Sequence, residues 1–251
     1  NTSESGSTDP VADEPRLRNG PLPPGGPLPP EEKAAAVRSM FDAIAPRYDL
    51  LNRLLTFRLD VRWRRRTVDD LALPAGSTVL DLACGTGDLC RDLDRAGHRP
   101  IGMDLSWGML AAARTDAPLV HADALRLPTP AGTVDGVTCG FALRNLAALE
   151  PFFGELARVL RPGGRIALLE VDRPRNPLLR AGHSVYFGRV VPFIGGLLSD
   201  RTAYRYLPRS VVYLPTEPEL LHQIMQAGFT DVTKIHLSGG IAQLLTATRN
   251  A

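Results

Sequence analysis

From residue 77 to residue 171, short apolar runs alternate with helical stretches. This alternation restricts the chain to a small group of folds. STVLDLA (77–83) passes through CGTGD (84–88) into the helical LCRDLDRAG (89–97). RPIGMDL (99–105) is followed by SWGMLAAAR (106–114), and PLVHADA (118–124) by TVDGVTCGF (133–141). LEPFFGELARVL (149–160) reads as helix, RPGG (161–164) as a turn and RIALLEV (165–171) as strand. Strands and helices alternating at this interval predict a parallel sheet covered by helices on both faces. The helical PTEPELLHQIMQAG (215–228) and two further strands, FTDVTKIHL (229–237) and IAQLLTATR (241–249), bring the strands to seven.

Two regions fall outside this rhythm. Residues 1–30 hold 8 Pro and 4 Gly and lack aromatics, so this head has little to bury and is expected to stay disordered. Residues 31–251 are expected to form one domain, opening with helices over 31–57 that break near Pro46. Val37, Met40, Phe41 and Ile44 recur at helical spacing, which predicts a packing stripe. Residues 173–215 are rich in Pro, Gly, Arg and Tyr and read as a lid-like insertion beside the strand ends.

The turn Cys84-Gly85-Thr86-Gly87-Asp88 joins the first strand to its helix. Glycines here let a ligand approach the backbone, and the helix N-terminus offers free N–H groups. A dinucleotide site wants a third glycine, but position 90 is Cys, and no Gly-Lys-Ser/Thr follows for a P-loop. Asp104 closes the second strand, where a carboxylate accepts ribose hydroxyls. Asp123 closes the third, where a nucleobase edge would lie. Together with Asp81 they suit a nucleoside without a pyrophosphate, such as S-adenosylmethionine.

At this point the chain resembles a known family, the ubiquinone/menaquinone C-methyltransferases among the class I S-adenosylmethionine methyltransferases. The matching stretches include MFDAIAPRYDLLN (40–52), VLDLACGTGD (79–88), DLSWGML (104–110), FALRN (141–145), RVLRPGGRIALLE (158–170) and AYRYLP (203–208). The resemblance implies a Rossmann-like, seven-stranded α/β class I methyltransferase fold with an N-terminal helical extension. It implies S-adenosyl-L-methionine as cofactor. Gly85, Thr86 and Gly87 would cradle its methionine part, Asp104 the ribose, and Asp123 with Ala124 the adenine. Gly140 stands where the family often has Ser. Ala83 replaces the first motif glycine, a change expected to be tolerated if the backbone is not left-handed there.

The reaction implied is methyl transfer to a ring carbon of demethylmenaquinol or a related prenylated hydroquinone. Arg144 is expected to stabilise the developing phenolate, with Asn145 positioning it. Tyr48 and Asp49 are expected to close over the cofactor, and Tyr206, beside Tyr204 and Arg205, to meet the acceptor ring. His183 and His236 are weaker candidates for a base. The family pattern near the end carries a His where Leu245 stands, within Gln243-Leu244-Leu245, and this departure is expected to lie against the acceptor. The alternative is a methyltransferase of the same fold acting on a soluble aromatic or polyketide metabolite. A scaffold that binds cofactor without transferring methyl is a third reading.

The remaining features bound the setting. A net charge of +2 gives no reason for a nucleic-acid partner, and no metal-ligand cluster is seen. Thr138-Cys139 lacks the Pro that usually precedes the nucleophile of cytosine methyltransferases. Three cysteines without CxxC spacing fit a reducing cytoplasm. No apolar run opens the chain as a signal peptide would, and Leu178–Leu198 is interrupted by Arg180, His183 and Arg189. Arg62, Arg64, Arg65 and Arg66, with Arg53 and Arg58, form the densest charge and suggest peripheral contact with the inner face of an anionic membrane. Oligomeric state stays open, a homodimer being one option.

Overall fold

The structure, a computed structural model, describes residues 30–172, 174–186, 189 and 214–251. Tyr206, with Tyr204 and Arg205, most of the 173–215 insertion and the head before Pro30 lie outside these residues. Seven strands form one sheet: β1 (Thr78–Leu82), β2 (Arg99–Asp104), β3 (Leu119–His121), β4 (Val134–Gly140), β5 (Leu160–Val171), β6 (Phe229–Leu237) and β7 (Ala242–Arg249). Their order is β3-β2-β1-β4-β5-β7-β6.

The sheet is mixed rather than wholly parallel. β7 runs antiparallel to both β5 and β6. The reason is local: no helix separates β6 from β7, so the chain must return as a hairpin. Ser238, Gly239 and Gly240 make that return with positive φ angles. The RPGG bend lies inside β5, with Gly163 at φ +77.

Alternate residues of each central strand face opposite sides. Leu80, Leu82, Ile166, Leu168, Leu245 and Ala247 join one core cluster. Val79, Ala167, Leu169, Ala242 and Leu244 join the other. The first cluster is closed by Phe152, Phe153 and Leu156 of one helix and by Leu220 and Ile224 of another. Trp63, Val68 and Leu71, with Leu89 and Leu93, close the second. Apart from the adjacent Phe152 and Phe153, these helices repeat their apolar residues at steps of three to five, which gathers them toward one side.

The helices are α1 (Pro30–Ile44), α2 (Tyr48–Leu55), α3 (Leu59–Leu71), α4 (Asp88–Arg95), α5 (Trp107–Ala111), α6 (Leu149–Val159), α7 (Pro177–Val185) and α8 (Glu217–Gln226). A 3-10 turn at Ala45–Arg47 joins α1 to α2, because Pro46 supplies no N–H to continue α1. Ile44, Ala45, Leu55 and Met109 form a small third cluster that seats these two helices beside the strand ends.

Candidate functional site

Two cavities lie at the carboxyl ends of the central strands. The first is a cleft with about 890 Å³ of empty space, its open mouth included. Ala83 and Gly85 come from the turn after β1, Met103 and Asp104 from the end of β2, and Gly140 and Phe141 from the end of β4. Asp123, Ala124 and Asn145 complete its rim, and Val37, Phe41 and Tyr48 roof it. The apolar stripe of α1 therefore does more than pack: Val37 and Phe41 line a cavity.

The second cavity holds about 1430 Å³ on the same measure and is mostly apolar. Leu55, Phe57, Trp63, Leu178, Leu179 and Ile241 supply its wall. Its polar groups are those of Asn52, Thr56, Asp60, Arg144 and Tyr186, besides Tyr48. Tyr48 and Phe141 line both cavities and so stand between them.

Asp104 organises the first cleft. Its Oδ2 accepts the Gly85 N–H at 2.8 Å and its Oδ1 that of Ser106 at 2.8 Å. Burial pushes the carboxyl up from its ordinary range, and these two N–H donors oppose the shift. Each oxygen keeps a lone pair for a ligand hydroxyl. Asp123 accepts the Leu125 N–H at 2.9 Å in a turn just past β3. A Cβ on Gly85, at φ +56, would meet only open space. Asn145 Oδ1 is buried with no hydrogen-bond partner among the described residues.

Thr86 and Gly87 do not line the cleft. The Thr86 hydroxyl is buried and donates to Asp49 Oδ1. Gly87, at φ +81, is held to glycine by packing as well, since a Cβ would stand 2.6 Å from Thr115 Cγ2. Asp81 departs further from expectation. It is buried beneath the turn, accepting from the Thr138 hydroxyl at 2.9 Å and the Cys90 thiol at 3.3 Å. Burial pushes its carboxyl up to about 7 against those two hydrogen bonds.

Four polar side chains of α1 and α2 tie these helices to the strand-end loops and α4. Lys33 Nζ donates to the Leu146 carbonyl at 2.7 Å. Asp42 Oδ1 accepts from Ser106 Oγ at 2.6 Å and from the Gly108 N–H at 2.8 Å. Asp49 takes the Thr86 hydroxyl, and Arg53 reaches Asp88 at 3.2 Å. Burial raises the Tyr48 phenol above its usual range, and a hydrogen bond with the Asn52 side chain opposes this. Asn52 and Asp42 escaped the sequence reading as site residues, although both lie in the 40–52 motif.

Arg144 is buried and pairs with Glu170, itself wholly buried. Its Nη1 also donates to the Phe141 carbonyl at 2.6 Å. The same carbonyl receives Asn145 Nδ2 at 3.4 Å. Phe141 needs this support, because it sits at φ +59. Glu170 was missed from sequence, yet a carboxylate ending the apolar run RIALLEV is a signal that something buried must pair with it.

A family model described as the ubiE/COQ5 methyltransferase family matches residues 30–249. The chain belongs to that family. It is 47% identical over 220 residues to a demethylmenaquinone methyltransferase of Thermus thermophilus, covering 84% of this chain and all (100%) of that one. It is 43% identical over 222 residues to the ubiquinone/menaquinone biosynthesis C-methyltransferase UbiE of Syntrophotalea carbinolica, covering 85% and 94%. Among solved structures, the [4+2]-cyclase SpnF matches with a TM-score of 0.62 at 15% identity over 87% of this chain and 96% of that one. A phosphoethanolamine N-methyltransferase of Haemonchus contortus, bound to S-adenosylhomocysteine, matches with a TM-score of 0.55 at 13% identity, covering 75% and 52%. These two likenesses establish the fold alone.

Within this ubiE/COQ5 methyltransferase several sequence expectations change. Ala83 is left-handed, at φ +51, so the missing motif glycine leaves strain in place. Leu245, expected against the acceptor, is wholly buried in the main core and lines neither cavity. Gln243 faces a third, polar cleft that also holds His236, 3.3 Å from Asp172. The His183 side chain lies outside the described ones. Cys139 is buried in the core and its thiol is pushed well up by burial, which rules it out as a nucleophile. The arginine cluster divides: Arg64 reaches Asp60 at 2.6 Å and Asp88 at 3.0 Å, and Arg66 reaches Asp70 at 2.7 Å. Arg58, Arg62 and Arg65 stand exposed.

Proposed function

We propose that this methyltransferase moves a methyl group from S-adenosylmethionine to a ring carbon of demethylmenaquinol or a related prenylated hydroquinone. The observation that carries this is the junction of the two cavities at Tyr48 and Phe141. A cleft rimmed by carboxylates suits a nucleoside, and a larger apolar cavity suits a prenylated ring. The names of the relatives in Thermus thermophilus and Syntrophotalea carbinolica support the same reading.

When bound, the cofactor supplies a methyl on a positively charged sulfur, an electrophile for an electron-rich ring. The protein's work is to hold, orient and exclude water. Asp104 accepts the ribose hydroxyls through its remaining lone pairs, and Asp123 with Ala124 flanks the adenine. Gly85 and Gly140 leave room for the methionine end, and the unpartnered Asn145 Oδ1 takes its ammonium. Thr86 and Gly87 act at one remove, by fixing the turn. Arg144 draws the charge left on a ring oxygen when its hydroxyl proton departs, the ring carbon that takes the methyl then gives up its own proton to solvent, and Tyr48 positions the ring beside the cleft. Tyr206 is assigned to the acceptor ring as well.

The prenyl tail keeps such an acceptor in a bilayer, so we place the enzyme in the cytoplasm at the inner membrane face. Among the described residues no helix is long and apolar enough to cross a membrane. The test is incubation with methyl-labelled S-adenosylmethionine and a panel of hydroquinones and soluble phenols. Label on a ring carbon of a prenylated hydroquinone is the expected result. Label only on soluble aromatic metabolites, or on oxygen, overturns the reading.

A further inference from the structure

Eight large apolar side chains stand exposed among the described residues, and six of them lie on α2 or just past its end and on α7, the two segments that bring Phe57, Leu178 and Leu179 into the wall of the second cavity. Leu50 and Leu54 lie one turn apart on one face of α2, and Phe57 follows just past its end. Leu178, Leu179 and Val185 lie on α7, with Leu178 and Val185 on one face. The two segments are joined: the Tyr186 hydroxyl donates to the Leu55 carbonyl at 2.8 Å, and its ring lies 5.7 Å from that of Phe57. Phe57 is 74% exposed and, with Arg58, adopts a left-handed backbone at φ +52 and +62.

Positive charge lies beside this patch. Arg58, next to Phe57 and just before α3, is exposed, as are Arg62 and Arg65 three apart on α3. None has an ion-pair partner among the described residues, unlike Arg53, Arg64 and Arg66 of the same cluster. Arg180 adds a further exposed cation on α7, which carries no acidic residue. Asp69, a turn beyond Arg65, is the acid nearest along that face of α3.

We propose that this face docks on an anionic phospholipid bilayer, with Leu50, Leu54, Phe57, Leu178, Leu179 and Val185 entering the headgroup boundary and the arginines meeting lipid phosphates. The second cavity then opens directly onto the bilayer, so that an acceptor ring enters while its tail stays in lipid. This surface rests on the prenylated acceptor proposed above. A second copy of the chain is the competing occupant, but a patch bordered by unpaired cations of one sign repels its own image.

The test is co-sedimentation with vesicles of phosphatidylglycerol and phosphatidylcholine in roughly equal parts, against phosphatidylcholine alone. The wild-type chain should bind the anionic vesicles, and raised salt should release it. Arg58→Glu with Arg62→Glu and Arg65→Glu should weaken that binding on the order of a hundredfold. Leu50→Glu with Val185→Glu should weaken it about tenfold or more. None of these five positions lines either cavity, so folding by circular dichroism and methyl transfer to a short-tailed, water-soluble hydroquinone should be unchanged. Absence of vesicle binding, or binding that both variants retain, overturns the proposal. A dimer by sedimentation that Leu50→Glu with Val185→Glu splits, without vesicle binding, assigns the face to a second copy and overturns it too. Failure of methyl transfer to every hydroquinone would instead remove the acceptor reading and leave the vesicle result to be judged alone.

Discussion

Arg144 and Glu170 form a buried ion pair at the wall between the two cavities, and the Arg144 guanidinium also holds the Phe141 carbonyl. One arginine thus supports a strained turn and faces the larger cavity. Its charge is held in place by a carboxylate that lines neither cavity.

Arg144→Ala should cut turnover by about a hundredfold or more, the usual effect of losing a group that meets developing charge. Affinity for S-adenosylhomocysteine, read by calorimetry, should change by less than about threefold. Full activity in this variant removes the role assigned to Arg144. Glu170→Gln leaves the guanidinium buried without its counter-charge and should cost about 3 kcal/mol in urea unfolding.

The Thr86 hydroxyl is bound to Asp49, so the turn and the roof over it are coupled. Thr86→Val keeps the shape and removes the bond, worth about 1–2 kcal/mol for a charged acceptor. We expect weaker cofactor binding, roughly fivefold to tenfold, and faster trypsin cleavage at Arg47 and Arg53. A double-mutant cycle with Asp49→Ala should show coupling between the two sites. Strict additivity would mean that the roof is held elsewhere.

Asp81 gives the fold a pH dependence of definite sign. Its folded-state carboxyl is pushed up to about 7 by burial, against about 4 for an unfolded aspartate. Between those values the folded chain binds a proton that the unfolded chain has released, so stability falls as pH rises. The contribution is complete below about pH 4 and lost through about pH 7. Asp81→Asn should flatten this slope and leave the protein more stable than wild type above pH 7, as read from urea midpoints at several pH values. A parallel slope in the variant would show that another group is responsible.

Ala83 occupies a left-handed position that glycine adopts without cost. Relief of about 1 kcal/mol or more is partly offset by the greater freedom of glycine in the unfolded chain. Ala83→Gly should therefore stabilise by about 0.5 kcal/mol, seen as a rise of a degree or two in Tm. A fall in Tm would show that the Ala83 methyl contributes more through its packing than the strain costs.

Much of the site was legible because it depends on local chemistry. Gly85 and Asp104 follow from the strand-turn-helix order, and both line the first cleft. The 40–52 motif was legible as a pattern, but its division of labour was not. Asp42, Asp49 and Asn52 each bond a different partner, and two of those partners are distant in sequence. The arginine cluster was misread as one surface for the same reason. Arg64 finds Asp88 on α4, and no spacing along α3 could reveal it.

The sequence by itself determined the alternation of strand and helix, the two-sided core and the place of the glycine turn. Those follow from backbone periodicity and glycine conformation, which act over a few residues. Tertiary structure decided which groups became available for chemistry. It buried Asp81 and Leu245, paired Arg144 with Glu170, left Asn145 Oδ1 without a partner among the described residues and put Tyr48 between two cavities. Burial and pairing are properties of what surrounds a side chain, and those surroundings are assembled from segments far apart in the sequence.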